Sequence, residues 1–328
     1  MVNRAMPNRS IEIVRGWHNL KRKPYNPATA GSVVTLGNFD GVHVGHQALI
    51  DELKKTAHAL SLQSTVVLFE PHPKAFFDSA NRPAVLTPLA EKLRLLAKMG
   101  VDRVVCLAFN QALSQLPAED FVRDFLARDL RAKKIIIGDD FRFGYQRAGD
   151  IHLLHQLASL YDFTVTTLPT CFMQEQRVSS SRIRHLLAQG DCEAAGELLG
   201  SFYHVSGIVR HGDKRGRTLG YPTANLAVHP AQLAIPYGIY AVTVAGFSSE
   251  ILPGVASLGV RPTLQTEPVL WLEVHLFDFN KSLYGKRLTV YFLHRLRDEL
   301  AFASLPDLVV QMQKDEVAAR KYLKKPKK

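Results

Sequence analysis

The sequence predicts an α/β domain with a parallel sheet, followed by an antiparallel β domain that ends in a helix. Three observations support this prediction. The 328-residue length fits two domains of roughly 150 residues each. In the first half, short β-branched segments alternate with helical patterns about every 30 residues. In the second half, strand patterns are separated by turns rich in Gly and Pro.

The first half contains five short apolar segments that predict strands: Ser32–Leu36, Thr65–Phe69, Arg103–Leu107, Lys134–Ile137 and Thr164–Leu168. Helical apolar stripes lie between them, with members Leu49, Ile50, Leu53, Ala57 and Leu60, then Leu89, Leu93, Leu96 and Ala97, and then Phe121, Phe125 and Leu126 after the helix-starting Pro117. Right-handed crossovers turn this alternation into a Rossmann-like parallel sheet with helices on both faces. Ligands of such sheets bind at the carboxyl ends of the strands.

The second half predicts five strands, Tyr203–Arg210, Ile239–Val244, Pro253–Leu258, Leu270–Phe279 and Leu288–Leu293, and a final helix from about Leu305 to Tyr322. This pattern is typical of an antiparallel barrel or sandwich. Between the halves, Ser181–Leu199 predicts two short helices split at Gly190-Asp191, because Gly ends helices and Asp caps them. We therefore expect domains over residues 1–187 and 201–328, joined by a linker over 188–200.

Composition narrows the class of protein. Hydrophobic residues make up 46% and charged residues 22% of the chain, as in ordinary globular proteins rather than disordered ones. Neither a signal peptide nor a membrane-spanning segment is predicted, and three irregularly spaced cysteines exclude a disulfide framework. We expect a cytoplasmic protein. The net charge of +11 indicates an acidic partner, either nucleic acid or small phosphorylated ligands, although the lysine-rich end of the chain is more typical of a solvated terminus.

The first candidate site is TLGNFDGVHVGHQ, residues 35–47, which follows the first strand and opens the first helix. Gly37, Gly41 and Gly45 allow tight turns and a close approach of phosphate, which the free N–H groups of a helix amino end attract. His43 and His46 lie on one side of the first helical turn and can donate hydrogen bonds to phosphate oxygens. A metal site is the alternative for a His-x-x-His pair, but no third ligand follows on that helix.

These residues resemble the HxGH motif of the nucleotidylyltransferase superfamily, and GNFDGVHVGHQ is similar to its FAD synthetase branch. FEPHP (69–73), GDDFRFG (138–144), RAGD (147–150) and SSSRIR (179–184) agree with that branch, whereas Val44 and Ser181 depart from it. The resemblance implies that His43 and His46 act at the α-phosphate of ATP and that Ser180 and Arg182 hold the polyphosphate. It further implies ATP or phosphate contacts from Gly37, Asn38, Asp40 and Gly45, and flavin contacts from Asp140, Phe141 and Phe143.

The second candidate site is the loop GDKRGRTLGYPTAN, residues 212–225. Lys214, Gly216 and Arg217 belong to a cationic, glycine-rich segment that suits a polyphosphate, and Thr223 and Asn225 offer the neutral oxygens that Mg²⁺ accepts beside phosphates and water. A solvated hairpin is the alternative interpretation of such a loop.

In the strand LWLEVHLFDF, alternation places Leu270, Leu272, Val274 and Leu276 on the core face and Trp271, Glu273, His275 and Phe277 on the other face. Periodicity alone leaves Glu273 either as an exposed strand residue or as a general base beside a flat apolar ligand.

Residues 201–322 resemble riboflavin kinase through this loop, PYGIYAV (236–242), GVASLGVRPT (254–263), LEVHLFDF, LYGK (283–286) and RDELAFASL (297–305). The resemblance implies a β-barrel in which Glu273 is the catalytic base, Thr223 and Asn225 bind Mg²⁺-ATP, and Lys214, Gly216 and Arg217 bind ATP phosphates. Ser257-Leu258 departs from the usual Asn-Ile of that family.

Both resemblances together span nearly the whole chain, in the order of the bacterial bifunctional riboflavin kinase/FAD synthetase family. They imply phosphorylation of riboflavin to FMN and adenylylation of FMN to FAD, with ATP, riboflavin, FMN and FAD as small-molecule partners and Mg²⁺ as cofactor. A related transferase in which one site has decayed is a second hypothesis. The chain argues against it, because it retains His43, His46, Thr223, Asn225 and Glu273. A nucleic-acid binder would need a basic stripe with interleaved aromatics, which the sequence lacks. The sequence does not indicate an oligomeric state.

Overall fold

The computed structural model describes residues 11–21, 31–79, 81–212, 220–228, 233–247, 250–261 and 269–324. The chain divides into two compact units, one of residues 1–83 and 87–178 and the other of residues 84–86 and 179–328. The two helices on either side of Gly190 belong to the second unit. The domain limits expected from the sequence remain predictions, which truncated chains can test.

The first unit is built on a six-stranded parallel sheet with strand order β1-β4-β3-β2-β5-β6. Its strands are Glu12–Arg15 (β1), Ser32–Leu36 (β2), Gln63–Glu70 (β3), Arg103–Ala108 (β4), Ala132–Gly138 (β5) and Thr164–Leu168 (β6). The five predicted strands are all present. Strand β1 was not predicted; it is a short edge strand in which only Val14 is buried.

Helices cover both faces of this sheet. They are Trp17–Lys21 (α1), Val44–Ala59 (α2), Pro73–Phe77 (α3), Leu89–Lys98 (α4), Gln111–Ser114 (α5), Ala118–Asp120 (α6), which continues as a π-helix over Phe121–Asp129, and Ile151–Ala158 (α7). A 3₁₀ turn spans Tyr145–Arg147, and a small hairpin pairs Phe172–Met173 (β7) with Gln176–Arg177 (β8). Ile50 and Leu53 of α2 and Leu96 of α4 share one core, and Phe125 of the π-helix and Leu154 of α7 share the other.

The strand order reverses between β2 and β5, and this reversal positions the first candidate site. From β2 the chain proceeds to β3 and β4 on one side, then crosses to β5 and β6 on the other. The crevice outside the carboxyl ends of β2 and β5 is therefore the topological switch point, where open α/β sheets bind ligands. The segment 37–46 leaves β2 at this edge, and the segment 139–144 leaves β5 beside it.

The second unit is a closed six-stranded barrel with the order β10-β13-β12-β11-β14-β9, in which every pair is antiparallel. Its strands are His204–Arg210 (β9), Ala224–Val228 (β10), Gly238–Ala245 (β11), Leu252–Arg261 (β12), Val269–Leu276 (β13) and Arg287–Arg297 (β14), and its helices are Ser180–Ala188 (α8), Cys192–Leu199 (α9) and Leu305–Leu323 (α10). The structure confirms the barrel, the five predicted strands and the terminal helix. It adds β10, which was not predicted and whose first two residues, Ala224 and Asn225, were expected to end a loop.

Alternation along β13 is confirmed for its aliphatic face, because Leu270, Leu272, Val274 and Leu276 are all buried inside the barrel. Phe277, predicted on the opposite face, is buried as well, since this ring is only 3% exposed. Phe277 lies just beyond the end of β13 and packs against Ala319 of α10, and the Arg320 guanidinium lies 4.3 Å from the ring centroid. The terminal helix therefore covers part of the outer surface of the barrel.

Two further expectations concern membrane segments and cysteines. In the described part of the chain, no helix combines the length and the apolar character needed to cross a membrane. Cys106, Cys171 and Cys192 are all free thiols, in agreement with the absence of a disulfide framework.

Helix α9 is part of the barrel unit by its packing. Four residues of this helix are buried: Cys192, Ala195, Leu198 and Leu199. Glu193 accepts hydrogen bonds from the Tyr322 hydroxyl of α10 at 2.9 Å and from His294 of β14 at 3.0 Å.

We predict that a fragment over residues 179–328 unfolds at a higher urea concentration than one over 201–328, because burial of each leucine contributes about 1.5–3 kcal/mol. Trp271 fluorescence during urea unfolding measures both fragments, and equal midpoints would contradict the assignment of α9 to this unit.

Candidate functional site

The first site begins with an unusual turn between β2 and α2. Phe39 and Val42 have positive φ values of 48° and 42°, a conformation that residues with side chains rarely adopt. The Phe39 ring is 1% exposed and packs on Gly37, where a Cβ would lie only 3.0 Å from that ring. Asp40 is 4% exposed, and its Oδ1 accepts a hydrogen bond from the Thr87 amide at 3.0 Å. Packing beneath the turn therefore fixes its shape.

This turn sets the positions of both predicted histidines. His43 is the N-cap of α2, and its Nδ1 accepts a hydrogen bond from the His46 amide at 3.3 Å. The two imidazole rings are stacked, with centroids 3.6 Å apart and planes 14° apart. Gly45 makes room for this arrangement, since a Cβ there would lie 3.4 Å from the His43 ring and 3.3 Å from Cys171.

Both imidazoles are neutral at physiological pH. Burial lowers the pKa of His43 to about 4, against an opposing effect of Asp40. Burial, and then the proximity of His43 and Lys92, holds the pKa of His46 well below its ordinary value. Within the described residues, His46 Nδ1 and Asn38 Oδ1 are buried and have no hydrogen-bond partner. Buried polar atoms of this kind are expected where a ligand completes the hydrogen bonds.

The second predicted segment of the first unit follows β5. Asp140 is exposed and forms an ion pair with Arg177 of β8, a residue close enough to His43 to influence its pKa. Phe141 stacks on Phe143 with ring centroids 5.5 Å apart, and Phe143 is 7% exposed and packs against Phe121. Asp140 thus lies at the open edge of the site, whereas Phe143 forms part of the core.

An aromatic group that the sequence analysis did not select lies beyond the ends of β3 and β4. Phe109 contacts the rings of Phe69, Phe76 and Phe77 at centroid distances of 6.3, 5.4 and 5.8 Å, and Phe77 is 69% exposed. Because Phe109 directly follows β4 and α3 follows β3, the carboxyl-end rule was the signal that could have identified this group.

The predicted residues Ser180 and Arg182 lie in the first turn of α8, in the second unit. The cap of this helix is the preceding Ser179, whose Oγ accepts a hydrogen bond from the Arg182 amide at 3.2 Å. The arginine therefore stands at a capped helix amino end, a location that favours anions.

In the barrel, strand register assembles the second site. Across neighbouring strands, Asn225 pairs with Glu273, Glu273 with Ser257, Ser257 with Ile239 and Ile239 with Arg297. Residues paired in this way face the same side of the sheet, and for Glu273 this side is the outer surface of the barrel. The structure thus brings Asn225 and Glu273 together, 48 positions apart in the sequence.

Two cavities of about 310 Å³ each lie against this row. The first, the Tyr284 cavity, is lined by residues that include Gly212, Thr223, Asn225, Phe279, Lys281 and Tyr284. The second, the Met312 cavity, is lined by residues that include Tyr221, Thr223, Glu273, Arg297, Glu299 and Met312. Thr223 borders both cavities, so a group bound in one lies next to a group bound in the other.

The wall of the Met312 cavity depends on the terminal helix. Arg297 donates to both carboxylate oxygens of Asp315 in α10, at 2.9 and 2.6 Å, and Gln311 donates to the same carboxylate at 2.9 Å. Burial raises the pKa of the Glu299 carboxyl, which lines this cavity. Sequence reasoning missed Arg297, Glu299 and Met312, because their contact with the site depends on how α10 folds back onto the barrel.

The residues around Thr223 suit a hard cation by their chemistry. The Asn225 amide nitrogen points to the Thr223 carbonyl and hydroxyl oxygens at 3.3 and 3.5 Å, and the Asn225 side chain packs against Gly212. His275 Nδ1 is 3.0 Å from the Pro222 carbonyl oxygen and holds this segment on β13. Lys214, Gly216 and Arg217 lie outside the described residues.

Comparisons with known proteins cover both units. The family model of FAD synthetase matches residues 25–182, and that of riboflavin kinase matches residues 199–323. The bifunctional riboflavin kinase/FMN adenylyltransferase of Escherichia coli strain K12 is 42% identical over 312 residues, which are 95% of this chain and 98% of that protein. The protein of the same name from Pseudomonas fluorescens is 43% identical over 310 residues, 94% of this chain and 97% of that protein.

Among solved structures, one described as a macrolide-efflux protein from Streptococcus pneumoniae is similar over both units. Its TM-score is 0.80 at 33% sequence identity, and the match covers 94% of this chain and 99% of that chain.

The neutral histidine pair predicts how stability responds to acid. Below about pH 6.5 an unfolded histidine takes up a proton, whereas folded His43 does so only near pH 4. The unfolded state therefore binds more protons in this window, and the stability of the first unit falls as the pH decreases from 6.5 towards 4. Trp17 fluorescence during urea unfolding of a Trp271→Phe background measures this unit.

Replacing both histidines, His43→Gln with His46→Gln, is expected to flatten this pH dependence. His58→Gln, in the exposed last turn of the same helix, is the matched control and should leave the dependence unchanged. An equally steep loss of stability in the double variant would contradict the neutral state of the pair.

Proposed function

The chain belongs to the bifunctional riboflavin kinase/FMN adenylyltransferase family, and we propose that its two reactions take place at the His43–His46 turn and beside Glu273. The enzyme phosphorylates riboflavin to FMN with ATP. It then transfers an adenylyl group from ATP to FMN, which gives FAD and pyrophosphate. We assign each step to particular residues from the geometry of the two units.

Adenylyl transfer fits the turn at the amino end of α2. An FMN phosphate oxygen attacks the α-phosphorus of ATP, the bond to the β-phosphate bridging oxygen breaks, and negative charge builds on the phosphoryl oxygens. The observation that carries the assignment is the stacked pair His43 and His46, at a helix amino end and with His46 Nδ1 unpartnered within the described residues. An imidazole N–H and free backbone amides stabilise this charge as it develops.

The other residues predicted for adenylyl transfer fall into groups with different surroundings. Gly37 and Gly45 make room for Phe39 and for His43, and Asp40 holds the turn. Asn38 has an unpartnered Oδ1 within the described residues and can hydrogen-bond ATP through its amide group. We assign the triphosphate to Ser180 and Arg182, because a guanidinium at a capped helix start matches phosphate geometry.

For the flavin of the first step, the exposed residues favour a site near Asp140. Asp140 and Arg177 lie at the open edge, whereas Phe143 is buried and can contact a ligand only along the rim of its ring. Phe141 remains assigned to the flavin by the sequence prediction. The exposed Phe77 and its aromatic neighbours offer a second apolar surface of suitable chemistry for an isoalloxazine ring.

For riboflavin phosphorylation, we assign the flavin to the Met312 cavity and ATP to the Tyr284 cavity. Neighbouring strands are about 4.8 Å apart, so the row from Glu273 to Arg297 spans roughly 14 Å of barrel surface, enough for a three-ring system. The terminal helix covers this row with apolar side chains such as Met312. On the other side of Thr223, Phe279 and Tyr284 offer an aromatic surface to adenine, and Lys281 offers a charge to phosphate.

Glu273 then stands where the two substrates meet. Its neighbour across the strands is Asn225, which lines the ATP cavity, while Glu273 itself lines the flavin cavity. We propose that its carboxylate accepts the proton of the ribityl 5′-hydroxyl as that oxygen attacks the γ-phosphorus, while the bond from this phosphorus to the β,γ-bridging oxygen breaks and ADP leaves. Positioned bases of this kind are a recurring part of phosphoryl transfer to alcohols.

A magnesium ion would be held by Thr223 and Asn225 together with ATP phosphates. A hydroxyl and an amide oxygen are hard neutral ligands, which agrees with the preference of Mg²⁺. The ion would neutralise phosphate charge during transfer. Lys214, Gly216 and Arg217 are proposed to act on the same phosphates, on the basis of the sequence alone.

His46→Ala is expected to stop FAD formation while FMN still accumulates. The variant removes a phosphate hydrogen-bond donor from the first unit and leaves the barrel unchanged. Chromatography of flavins after incubation with riboflavin, ATP and Mg²⁺ measures both steps. His58→Ala, on the same helix but exposed, serves as the control, and undiminished FAD synthesis by His46→Ala would rule out the proposed role.

Glu273→Gln is expected to lower the rate of FMN formation about 10²–10⁴-fold, the usual contribution of a general base. Gln keeps the size of the side chain and can still bind the hydroxyl, so riboflavin affinity should stay close to wild type. Steady-state rates and a riboflavin binding titration separate the two effects. Added FMN should still be converted to FAD at the wild-type rate.

Thr223→Val distinguishes metal binding from base catalysis in the same site. It should raise the Mg²⁺ concentration that gives half-maximal FMN formation, whereas Glu273→Gln should leave that concentration unchanged.

If Glu273→Gln weakens only riboflavin binding, Glu273 positions the substrate and is not the base.

A further inference from the structure

Lys92 is a charged residue in the core of the first unit. It lies on the buried face of α4 with Leu93 and Leu96, and it is only 5% exposed. Burial lowers the pKa of its ammonium group, and the nearby carboxylates Asp40 and Glu70 oppose this change. Burying an ammonium group is costly unless hydrogen bonds and opposite charges compensate. An apolar residue at this position would avoid that cost.

The ammonium group reaches the turn that carries the histidines. Lys92 Nζ donates a hydrogen bond to the Asn38 carbonyl oxygen at 2.7 Å. The same turn is attached to this region a second time, through the hydrogen bond from the Thr87 amide to Asp40. Both attachments come from the segment that enters and forms α4, and both act on residues directly beside Phe39.

The hydrogen bonds from Lys92 and Thr87 support the part of the turn whose backbone conformation is least favourable. Phe39, Gly41 and Val42 have φ values of 48°, 87° and 42°. Non-glycine residues keep such conformations only when the surrounding structure enforces them. His43 follows directly as the N-cap of α2, so a shift of the turn would move both imidazole rings.

We propose that Lys92 is a positioning residue for adenylyl transfer, which fixes the Asn38–Val42 turn and thereby aims His43 and His46 at the reacting phosphate. The inference rests on the assignment of adenylyl transfer to this turn. Lys92 acts through the Asn38 carbonyl and is not required to touch a substrate.

The test measures FAD formation from FMN and ATP with the full chain. Lys92→Met keeps most of the length and the apolar character of the side-chain stem but removes the hydrogen bond, and kcat is expected to fall about 10–100-fold, since small misplacements of catalytic groups have effects of this size. The KM values for FMN and ATP should change much less. Lys92→Arg retains a cationic donor and should recover most of kcat. Lys98→Met, at the exposed end of the same helix, should behave as wild type.

Two readouts separate this role from a loss of folding. The Trp17 fluorescence of the variant must match that of the wild-type protein, which shows that the first unit is folded. Riboflavin phosphorylation by the same preparation must also be unchanged. If Lys92→Met unfolds the first unit, Lys92→Gln replaces it, with the same expectation of a reduced kcat.

Three outcomes would overturn the proposal. The folded Lys92→Met or Lys92→Gln variant could have the wild-type kcat, or the substitution could change only the KM values. The folded Lys92→Met and Lys92→Arg variants could also lose kcat equally. Loss of FAD synthesis in His46→Ala together with wild-type kcat in Lys92→Met would refute Lys92 alone. Full activity of His46→Ala would refute the site assignment itself.

Discussion

The shape of the turn between β2 and α2 is the constraint on which the proposed adenylyl-transfer site depends. Its backbone has positive φ at Phe39 and Val42 as well as at Gly41, and it is stable only because the residues around it fill the space beneath. Once the turn is fixed, His43 must cap α2 and His46 must lie one turn later, where the rings stack. Burial then keeps both imidazoles uncharged, so they can lie together at the positive end of a helix. The fold therefore positions the site through packing under the turn.

The barrel positions the residues proposed for riboflavin phosphorylation in a different way, through the register of its strands. Side chains alternate along a strand, so a slip of one residue would move Glu273 from the outer surface into the aliphatic core. The buried residues Leu272 and Val274 on either side of it prevent such a slip. Register also sets Asn225 beside Glu273 and places Arg297 three strands away, where its ion pair with Asp315 attaches the terminal helix over the row. The register of the strands thus determines both the packing of the barrel core and the geometry of the site.

Much of this organisation could be predicted from local patterns. Strand and helix periodicity predicted both folds, whereas the phosphate site, predicted from glycines and histidines after a strand, stays a prediction. The exceptions have physical reasons. Lys92 occupies a buried helix face where the pattern predicts an apolar residue, and nothing local indicates which carbonyl it contacts. Alternation along the strand predicted Phe277 on the face opposite the aliphatic core, but the burial of this ring depends on a helix some 40 residues later. Cavities and ion pairs formed by distant segments depend on tertiary folding, which periodicity does not encode.

The central claim is that the two reactions take place at two separate sites, and mixing two variants tests it most directly. His46→Ala and Glu273→Gln are combined in equal amounts and incubated with riboflavin, ATP and Mg²⁺, and the flavins are separated by chromatography. Each variant alone should make little FAD from riboflavin, because each lacks one step. Together they should make FAD, as FMN released by one protein is adenylylated by the other. Absence of FAD from the mixture, while each variant retains its own remaining step, would contradict the claim.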